Sequence, residues 1–149
     1  MYKNDFGYYI SVIYRHHQMH LNKRFSKFGF GSGQFFFFIY IAYNESSTQK
    51  ELSRSMAVDK ATTTKAIRKL IALGYVRAEK DPKDLRSQKL YLTEAGKEIL
   101  PEVRRILDET TAMLGMGMDG EEVKETLRLL RKITGNVTRQ KPGPYGQAP

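Results

Sequence analysis

Residues 48–93 constrain the fold more than any other stretch, because two closely spaced helix starts are followed there by a strand-pairing pattern. Thr48 and Glu51 have the spacing of a capping box, in which a hydroxyl and a carboxylate satisfy the first main-chain N–H groups of a helix. Asp59 is a good second N-cap, opening a helix that runs to about Leu73. The tight break between the two helices predicts a helix-turn-helix.

The second of these helices has two contrasting faces. Its apolar side repeats at the i, i+3, i+4, i+7 spacing of a buried stripe, formed by Thr63, Ala66, Ile67 and Leu70. The other side is small near the start of the helix and basic further on; its residues are Ala61, Thr62, Thr64, Lys65, Arg68, Lys69 and Ala72. Small residues let a helix approach a groove floor, and hydroxyls and cations reach bases and phosphates.

A hairpin pattern follows this helix. Gly74 ends the helix as a C′ glycine, and residues 75–79 and 89–92 are predicted strands around a turn at 81–84. The tip between the strands contains four cations, namely Lys80, Lys83, Arg86 and Lys89. A solvated charged turn would explain such a tip in isolation. Its position directly after a helix-turn-helix favours a DNA-contacting wing.

The sequence of this block resembles the MarR family of transcriptional regulators. The resemblance rests on TQKEL (48–52), VDKAT (58–62), GYV (74–76), DP (81–82), DLRS (84–87) and LYLTEAG (90–96). It is dense in this block and extends more loosely to about Val137. Two residues depart from the family pattern: Thr63 stands where an aliphatic residue is usual, and Leu85 where a second wing arginine is common.

The resemblance implies a mainly α fold with a small β-wing. We expect a single domain, 1–140, with a winged helix-turn-helix DNA-binding lobe at 48–93. The segments 1–30 and 93–139 are expected to form N- and C-terminal dimerisation helices. The Pro- and Gly-rich segment 141–149 is predicted to be a disordered tail.

Four helices are predicted outside the block, at residues 5–28, 34–43, 94–114 and 119–138, with a loop at 44–47. Residues 35–41, FFFFIYI, favour a strand by propensity, but the order of elements in a winged helix requires a helix capped by Ser32. A helix that is apolar all round is a buried helix. The last helix repeats apolar residues at the seven-residue spacing of paired helices, at Val123, Leu127, Leu130, Thr134 and Val137.

Composition agrees with a DNA-binding regulator. The net charge of +9 and the pI near 9.7 favour a polyanionic partner, either nucleic acid or an anionic membrane surface. No apolar run is long enough to cross a membrane and the start lacks a signal peptide, so we expect a cytoplasmic protein without a membrane partner. The absence of cysteine excludes disulfides, thiol switches and cysteine-ligated zinc.

The pattern and the resemblance together predict the DNA-binding residues. They are Thr48, Lys60, Ala61, Thr62, Thr64, Lys65, Arg68, Lys69, Lys83, Asp84 and Arg86. Arg86 is expected at the minor groove, oriented by a salt bridge to Asp84. The resemblance further implies a homodimeric repressor that binds a pseudo-palindromic operator and is released by a small phenolic ligand. Candidate effector-pocket residues are His17, His20, Phe36 and Tyr40.

The sequence leaves three alternative functions to consider. His16 and His20, at i and i+4, would suit a metal-responsive regulator, but two imidazoles do not complete a site, and boundary positions at a subunit interface explain them better. A winged-helix protein-interaction module would have a neutral or acidic recognition helix, unlike this one. An enzyme is not predicted, because the sequence contains neither a nucleophile–base–acid set nor a phosphate-binding glycine loop. No cofactor is expected.

Overall fold

The computed structural model describes residues 5–138, so the predicted disordered segment 141–149 and the ends of the predicted domain 1–140 lie outside the described residues. The helices are α1 (Phe6–Phe25), α2 (Ser32–Tyr43), α3 (Gln49–Met56), α4 (Lys60–Ala72), α5 (Glu94–Leu114) and α6 (Gly120–Thr138). The strands are β1 (Ser47–Thr48), β2 (Val76–Asp81) and β3 (Asp84–Leu92). The mainly α fold with a small β-wing is confirmed.

The three strands form an antiparallel sheet in the order β1-β3-β2. Strands β2 and β3 pair from Val76 opposite Leu92 outward to a tight turn, so both are longer than the predicted strands at 75–79 and 89–92. The prediction of a loop at 44–47 was wrong at its last residue, because Ser47 pairs with Leu90 in β3. We call residues 47–92 the reading head.

The core lies where the end of α1, helix α2 and helix α4 meet the sheet. Phe25 stacks on Phe35 with ring centroids 5.1 Å apart, and Phe30 joins both Phe25 and Phe38 at 5.5 and 5.7 Å. Helix α2 buries apolar residues on several sides, which confirms the choice of helix over strand. The buried residues of α2 are Phe35, Phe37, Phe38, Ile39 and Ile41.

Two helix ends differ from the predicted ones. Helix α2 is capped by Gly31 and already begins at Ser32, so Ser32 is not its N-cap. The side chain of Gln34 accepts a bond from the Gly31 N–H at 3.1 Å, while the Ser32 N–H donates to Asn22. Helix α1 was predicted to reach residue 28, but it ends at Phe25 and tightens into a single 3₁₀ turn, Ser26–Phe28.

The helices outside the reading head leave apolar surface uncovered. In α1, Phe6 and Ile13 are 75% and 53% exposed, and in α6 no described residue is buried. Helix α5 contributes Val103, Ile106 and Thr110 to the core and continues without a break past Pro101. No helix in the described part of the chain is both long and apolar enough to cross a membrane.

Candidate nucleic-acid interface

Local capping fixes both helices of the helix-turn-helix. The Thr48 hydroxyl accepts from the Glu51 N–H, and the Glu51 carboxylate accepts from the Thr48 N–H at 2.7 Å, which completes the predicted capping box. Helix α3 then ends at Ala57, whose left-handed φ of 52° turns the chain within two residues toward α4. The fully buried Leu52 anchors α3 beneath this turn.

Helix α4 begins and ends as its sequence predicts. Asp59 caps it by accepting from the Thr62 N–H at 2.7 Å, and this bond holds the pKa of the Asp59 carboxyl below its ordinary value. At the other end Gly74 has a φ of 81°, and the N–H groups of Gly74 and Tyr75 bond to the carbonyls of Ile71 and Leu70. This pair of bonds is a Schellman motif, which stops the helix and directs the chain into β2.

The predicted cationic contacts lie on the exposed sides of α4 and the wing. All six are exposed, and within residues 5–138 none pairs with a carboxylate. We call this set the basic face; it consists of Lys60, Lys65, Arg68, Lys69, Lys83 and Arg86. The opposite side of α4 is buried at Thr63, Ala66, Ile67 and Leu70, as predicted.

A concave surface joins the start of α3, the start of α4 and the wing. It forms a cavity of about 580 Å³ with four cations and a single carboxylate among its residues. The lining residues are Thr48, Gln49, Lys50, Ser53, Lys60, Lys80, Asp84, Leu85, Arg86, Ser87 and Gln88. Of the predicted contacts, Thr48, Lys60, Asp84 and Arg86 therefore meet at one place, whereas Lys65, Arg68, Lys69 and Lys83 lie outside its lining.

Two polar bonds hold α3 against α4. Ser53 donates to the hydroxyl of Thr63 at 2.8 Å, and the Gln49 side-chain amide donates to the hydroxyl of Thr64. Thr63 is completely buried, so its hydroxyl is satisfied within the protein where an aliphatic side chain is usual in the family. The predicted contact Thr64 is thus half-covered by Gln49.

The predicted salt bridge between Asp84 and Arg86 is absent, both residues being described. Asp84 instead accepts from the main-chain N–H of Arg86 at 3.1 Å. Asp81 similarly accepts from the N–H of Lys83 at 2.9 Å. Both carboxylates therefore shape the turn of the wing, and the guanidinium of Arg86 projects without an acidic partner.

Sequence reasoning missed Gln49, Lys50, Ser53 and Lys80 as members of this surface. Gln49 and Lys50 follow directly after the capping residue Thr48, so the first turn of α3 was the available signal. Lys80 belongs to the basic tip of the predicted hairpin but is not among the predicted contacts. Ser53 gave no signal, because its bond to Thr63 depends on how the two helices cross.

Several cations of the flanking helices are paired. Arg24 and Lys27, at the end of α1, form ion pairs with Glu109 and Glu102 of α5. Arg105 joins the same two glutamates, and bonds from Arg105 and then Lys27 lower the pKa of Glu102 to about 2. In α6, Arg128 pairs with Glu125 at 2.7 Å. These ion pairs link α1 to α5 and stabilise α6 locally.

None of the four candidate effector residues lines the cavity of about 580 Å³ beside α3. Tyr40 accepts a bond from Ser55 of α3 at 3.1 Å, and Phe36 lies 3.8 Å from Phe35 between ring centroids. His17 and His20 lie on α1, where burial and then the charge of His20 lower the pKa of His17. A second cavity, of about 600 Å³, lies between the α3–α4 turn and Val137 of α6 and contains none of the four.

No metal site emerges around the histidines within the described range. His16 and His20 lie one turn apart on α1, and residues 5–138 contain no cluster of three or more His, Cys, Asp or Glu that suits a metal ion. The Nε2 atom of His20 is buried and has no hydrogen-bond partner among the described residues. The interpretation of the histidines as boundary residues at a subunit interface stays a prediction.

Comparison with known proteins identifies the family. The sequence profile of the MarR family matches residues 28–87. A MarR transcriptional regulator from Methanosarcina mazei Go1 is 34% identical in sequence and superposes with a TM-score of 0.82, covering 89% of this chain and 96% of that one. The chain belongs to the MarR family. Its relatives are transcriptional regulators and not enzymes.

Two further comparisons support this MarR-family regulator's fold and class. YybA of Bacillus subtilis (strain 168), named as an uncharacterized HTH-type transcriptional regulator, is 29% identical over 136 residues, which are 91% of each protein. A putative MarR family regulator from Listeria monocytogenes, crystallised with a 26mer DNA, is 24% identical with a TM-score of 0.85 and 91% coverage of both chains. The latter comparison concerns the fold alone.

Proposed function

We propose that this MarR-family regulator is a homodimeric repressor that binds a pseudo-palindromic operator in double-stranded DNA and is released by a small aromatic ligand. The observation that carries the proposal is the basic face, six exposed cations without acidic partners in residues 5–138. An anionic backbone supplies the missing charge. The relative from Listeria monocytogenes whose structure contains a 26mer DNA supports the same partner.

The roles follow from the position of each side chain. The N-terminal half of α4 would enter the major groove, with Lys65, Arg68 and Lys69 reaching phosphates and base edges. The wing would follow the backbone to the minor groove, where Lys83 and Arg86 add positive charge. Thr48 and Lys60, at the cavity beside α3, would flank a phosphate. The cationic character of this surface also argues against a protein-interaction module.

Dimerisation is supported by the apolar residues left uncovered on α1 and α6. Burying such residues against a second copy removes apolar surface from water, which is the main driving force for association. A two-fold axis would place two copies of α4 about one turn of DNA apart, roughly 34 Å. Two short half-sites read together give a pseudo-palindromic operator and far higher affinity than one.

The proposed ligand-release step involves residues of α1 and α2. His17, His20, Phe36 and Tyr40 remain the proposed effector residues, and the hydroxyl bond between Tyr40 and Ser55 offers them a link to the reading head. A ligand that binds more tightly to a dimer with wrongly spaced heads would lower operator affinity by that difference. Such a ligand would be flat and phenolic, to match the aromatic residues of α2.

The test is a fluorescence-anisotropy titration of the full chain against its own upstream intergenic DNA and a scrambled duplex, at two salt concentrations, with and without salicylate. We expect the native duplex to bind at least roughly a thousandfold tighter, which is the usual range for specific complexes. Equal binding of both duplexes that vanishes at moderate salt would reduce the basic face to non-specific attraction. Specific binding unaffected by salicylate would reject that ligand and leave operator binding intact.

A further inference from the structure

The three consecutive threonines of α4 all donate their hydroxyl protons to oxygen atoms of the preceding turn. Thr62 bonds to the Asp59 carboxylate at 2.8 Å, Thr63 to the Asp59 carbonyl at 2.9 Å, and Thr64 to the Lys60 carbonyl at 2.8 Å. Carboxylate and carbonyl oxygens only accept hydrogen bonds, so each threonine must be the donor. None of the three has a proton left to donate to DNA.

Thr64 is restricted further by α3. Its oxygen also accepts a bond from the Gln49 amide, so the proton and one of the two lone pairs are engaged within the protein. The side chain offers an approaching groove its methyl group and a single acceptor lone pair. Ala61, one turn earlier, is exposed and consists of a methyl group alone, and Thr62 beside it is exposed with its hydroxyl held by Asp59.

The first two turns of α4 therefore present the methyl groups of Ala61, Thr62 and Thr64 between the exposed cations Lys60 and Lys65. In the major groove a single standard base, thymine, carries a methyl group, at C5. Thymine methyls pack well against alanine and threonine methyl groups, and such contacts require no hydrogen bond.

We propose that Ala61, Thr62 and Thr64 select thymine by methyl–methyl contact in the major groove, and that Gln49 is a positioning residue that holds Thr64 in this orientation. The inference rests on the proposed operator binding and names the sequence class of the half-site. Since 5-methylcytosine carries its methyl group at the same ring position, we expect it to replace thymine in part.

The test begins with selection of a binding site from a random duplex pool by the full chain. Each thymine of the selected half-site is then replaced by deoxyuridine, which removes only the methyl group. We expect affinity to fall about fourfold for each contacted methyl, the value for one buried methylene-sized group. Cytosine at those positions should bind poorly, and 5-methylcytosine should recover part of the affinity.

Variants of Thr64 and Gln49 show which residues cause the preference for thymine over uracil. Thr64→Ser keeps the hydroxyl and removes the methyl, so it should abolish the preference for thymine over uracil at one position. Thr64→Val keeps the methyl group and should retain that preference. Gln49→Ala should weaken it without changing the salt slope, because no charge is removed. Thr63→Ser is the matched control: it removes the neighbouring buried methyl group and should change stability but not base preference.

The results of these experiments distinguish recognition of the thymine methyl group from the proposed operator binding on which it rests. Failure to select any sequence would overturn operator binding and the inference with it. A selected duplex that binds equally well with uracil throughout would overturn methyl recognition and leave operator binding standing. Loss of discrimination in Thr64→Val together with its retention in Thr64→Ser would assign recognition to the hydroxyl and contradict the proposal.

Discussion

The reading head and helix α6 differ in how much of their apolar surface is buried. On the head, the basic face lacks carboxylate partners among residues 5–138, while apolar residues such as Leu52, Leu70 and Leu90 are buried. On α6, Arg128 is paired within its own helix, while Leu127 and Leu130 are 44% and 48% exposed. Unpaired cations suit a polyanion and an exposed apolar stripe suits another protein surface, so we expect the two regions to bind different partners.

The largest expected effect concerns the apolar stripe of α6. Leu127→Asp combined with Leu130→Asp should convert a dimer into a monomer, because two unpaired charges would be buried at the interface. Affinity for the full operator should then fall by at least about a hundredfold, since each monomer reads one half-site. Sedimentation analysis and anisotropy measure the two results, and circular dichroism should show unchanged helix content.

Leu129→Asp is the matched control, because Leu129 is also exposed on α6 but lies off the heptad stripe. It should leave both the dimer and operator binding intact. If the double variant remained dimeric, the exposed stripe of α6 would not be a subunit interface. The prediction that α6 binds a second copy of the chain would then be wrong.

Two glycines are expected to differ in how substitution by alanine changes the free energy of unfolding. A Cβ atom on Gly96 would lie 2.2 Å from the main-chain oxygen of Tyr75, whereas one on Gly135 of α6 would meet nothing within 4 Å in the described residues. Gly96→Ala should therefore lower the free energy of unfolding by about 3 kcal/mol through overpacking. Gly135→Ala should raise it by up to about 1 kcal/mol, because alanine favours a helix. Urea denaturation measures both; equal effects would contradict the close contact at Gly96.

A smaller effect distinguishes free cations from paired ones. Lys65→Ala should weaken binding to any duplex by roughly tenfold and reduce the slope of log affinity against log salt by about 0.9, the contribution of one phosphate. Arg128→Ala removes a cation of equal charge that is already paired, and should alter neither quantity. A similar loss in both variants would mean that net charge, and not the basic face, governs affinity.

The smallest expected effect is a loss of stability at acid pH, through the ion pairs that join α1 to α5. The pKa of Glu102 is lowered from 4.5 to about 2 by its bonds to Arg105 and Lys27. The folded state thus binds this proton more weakly than the unfolded state, so its stabilisation is complete above pH 4.5 and is lost as the pH falls toward 2. Glu102→Gln should remove this part of the acid dependence of the melting temperature. An unchanged acid profile would show that these exposed pairs contribute nothing measurable.

Local signals made much of the head predictable from sequence. The capping box of Thr48 and Glu51, the N-cap Asp59 and the C′ glycine Gly74 each act within a few residues, and all lie where the sequence places them. The stripe ending at Leu70 follows from helical period alone. The resemblance to the MarR family indicated the order of helices and strands. That order correctly predicted a helix at residues 35–41, in spite of their strand propensity.

The remaining features depend on how distant segments meet. The bond from Gln49 to Thr64 requires the crossing of α3 and α4, and the strand at Ser47 requires β3, more than 40 residues later. Asp84 was expected to bind the side chain of Arg86 but binds its main chain, because the tight turn brings that N–H closer. The sequence likewise does not show that the hydroxyl groups of Thr63 and Thr64 bond to the main-chain carbonyls of Asp59 and Lys60.

The two-residue strand β1 has a mechanical consequence. It fastens the first residue of the helix-turn-helix, Thr48, to Lys89 in the stem of the wing. Because this pairing joins the start of the two helices to the wing through the main chain, we expect the three parts to keep their relative positions when the protein binds DNA. A crosslink across β1 is therefore expected to leave operator affinity unchanged.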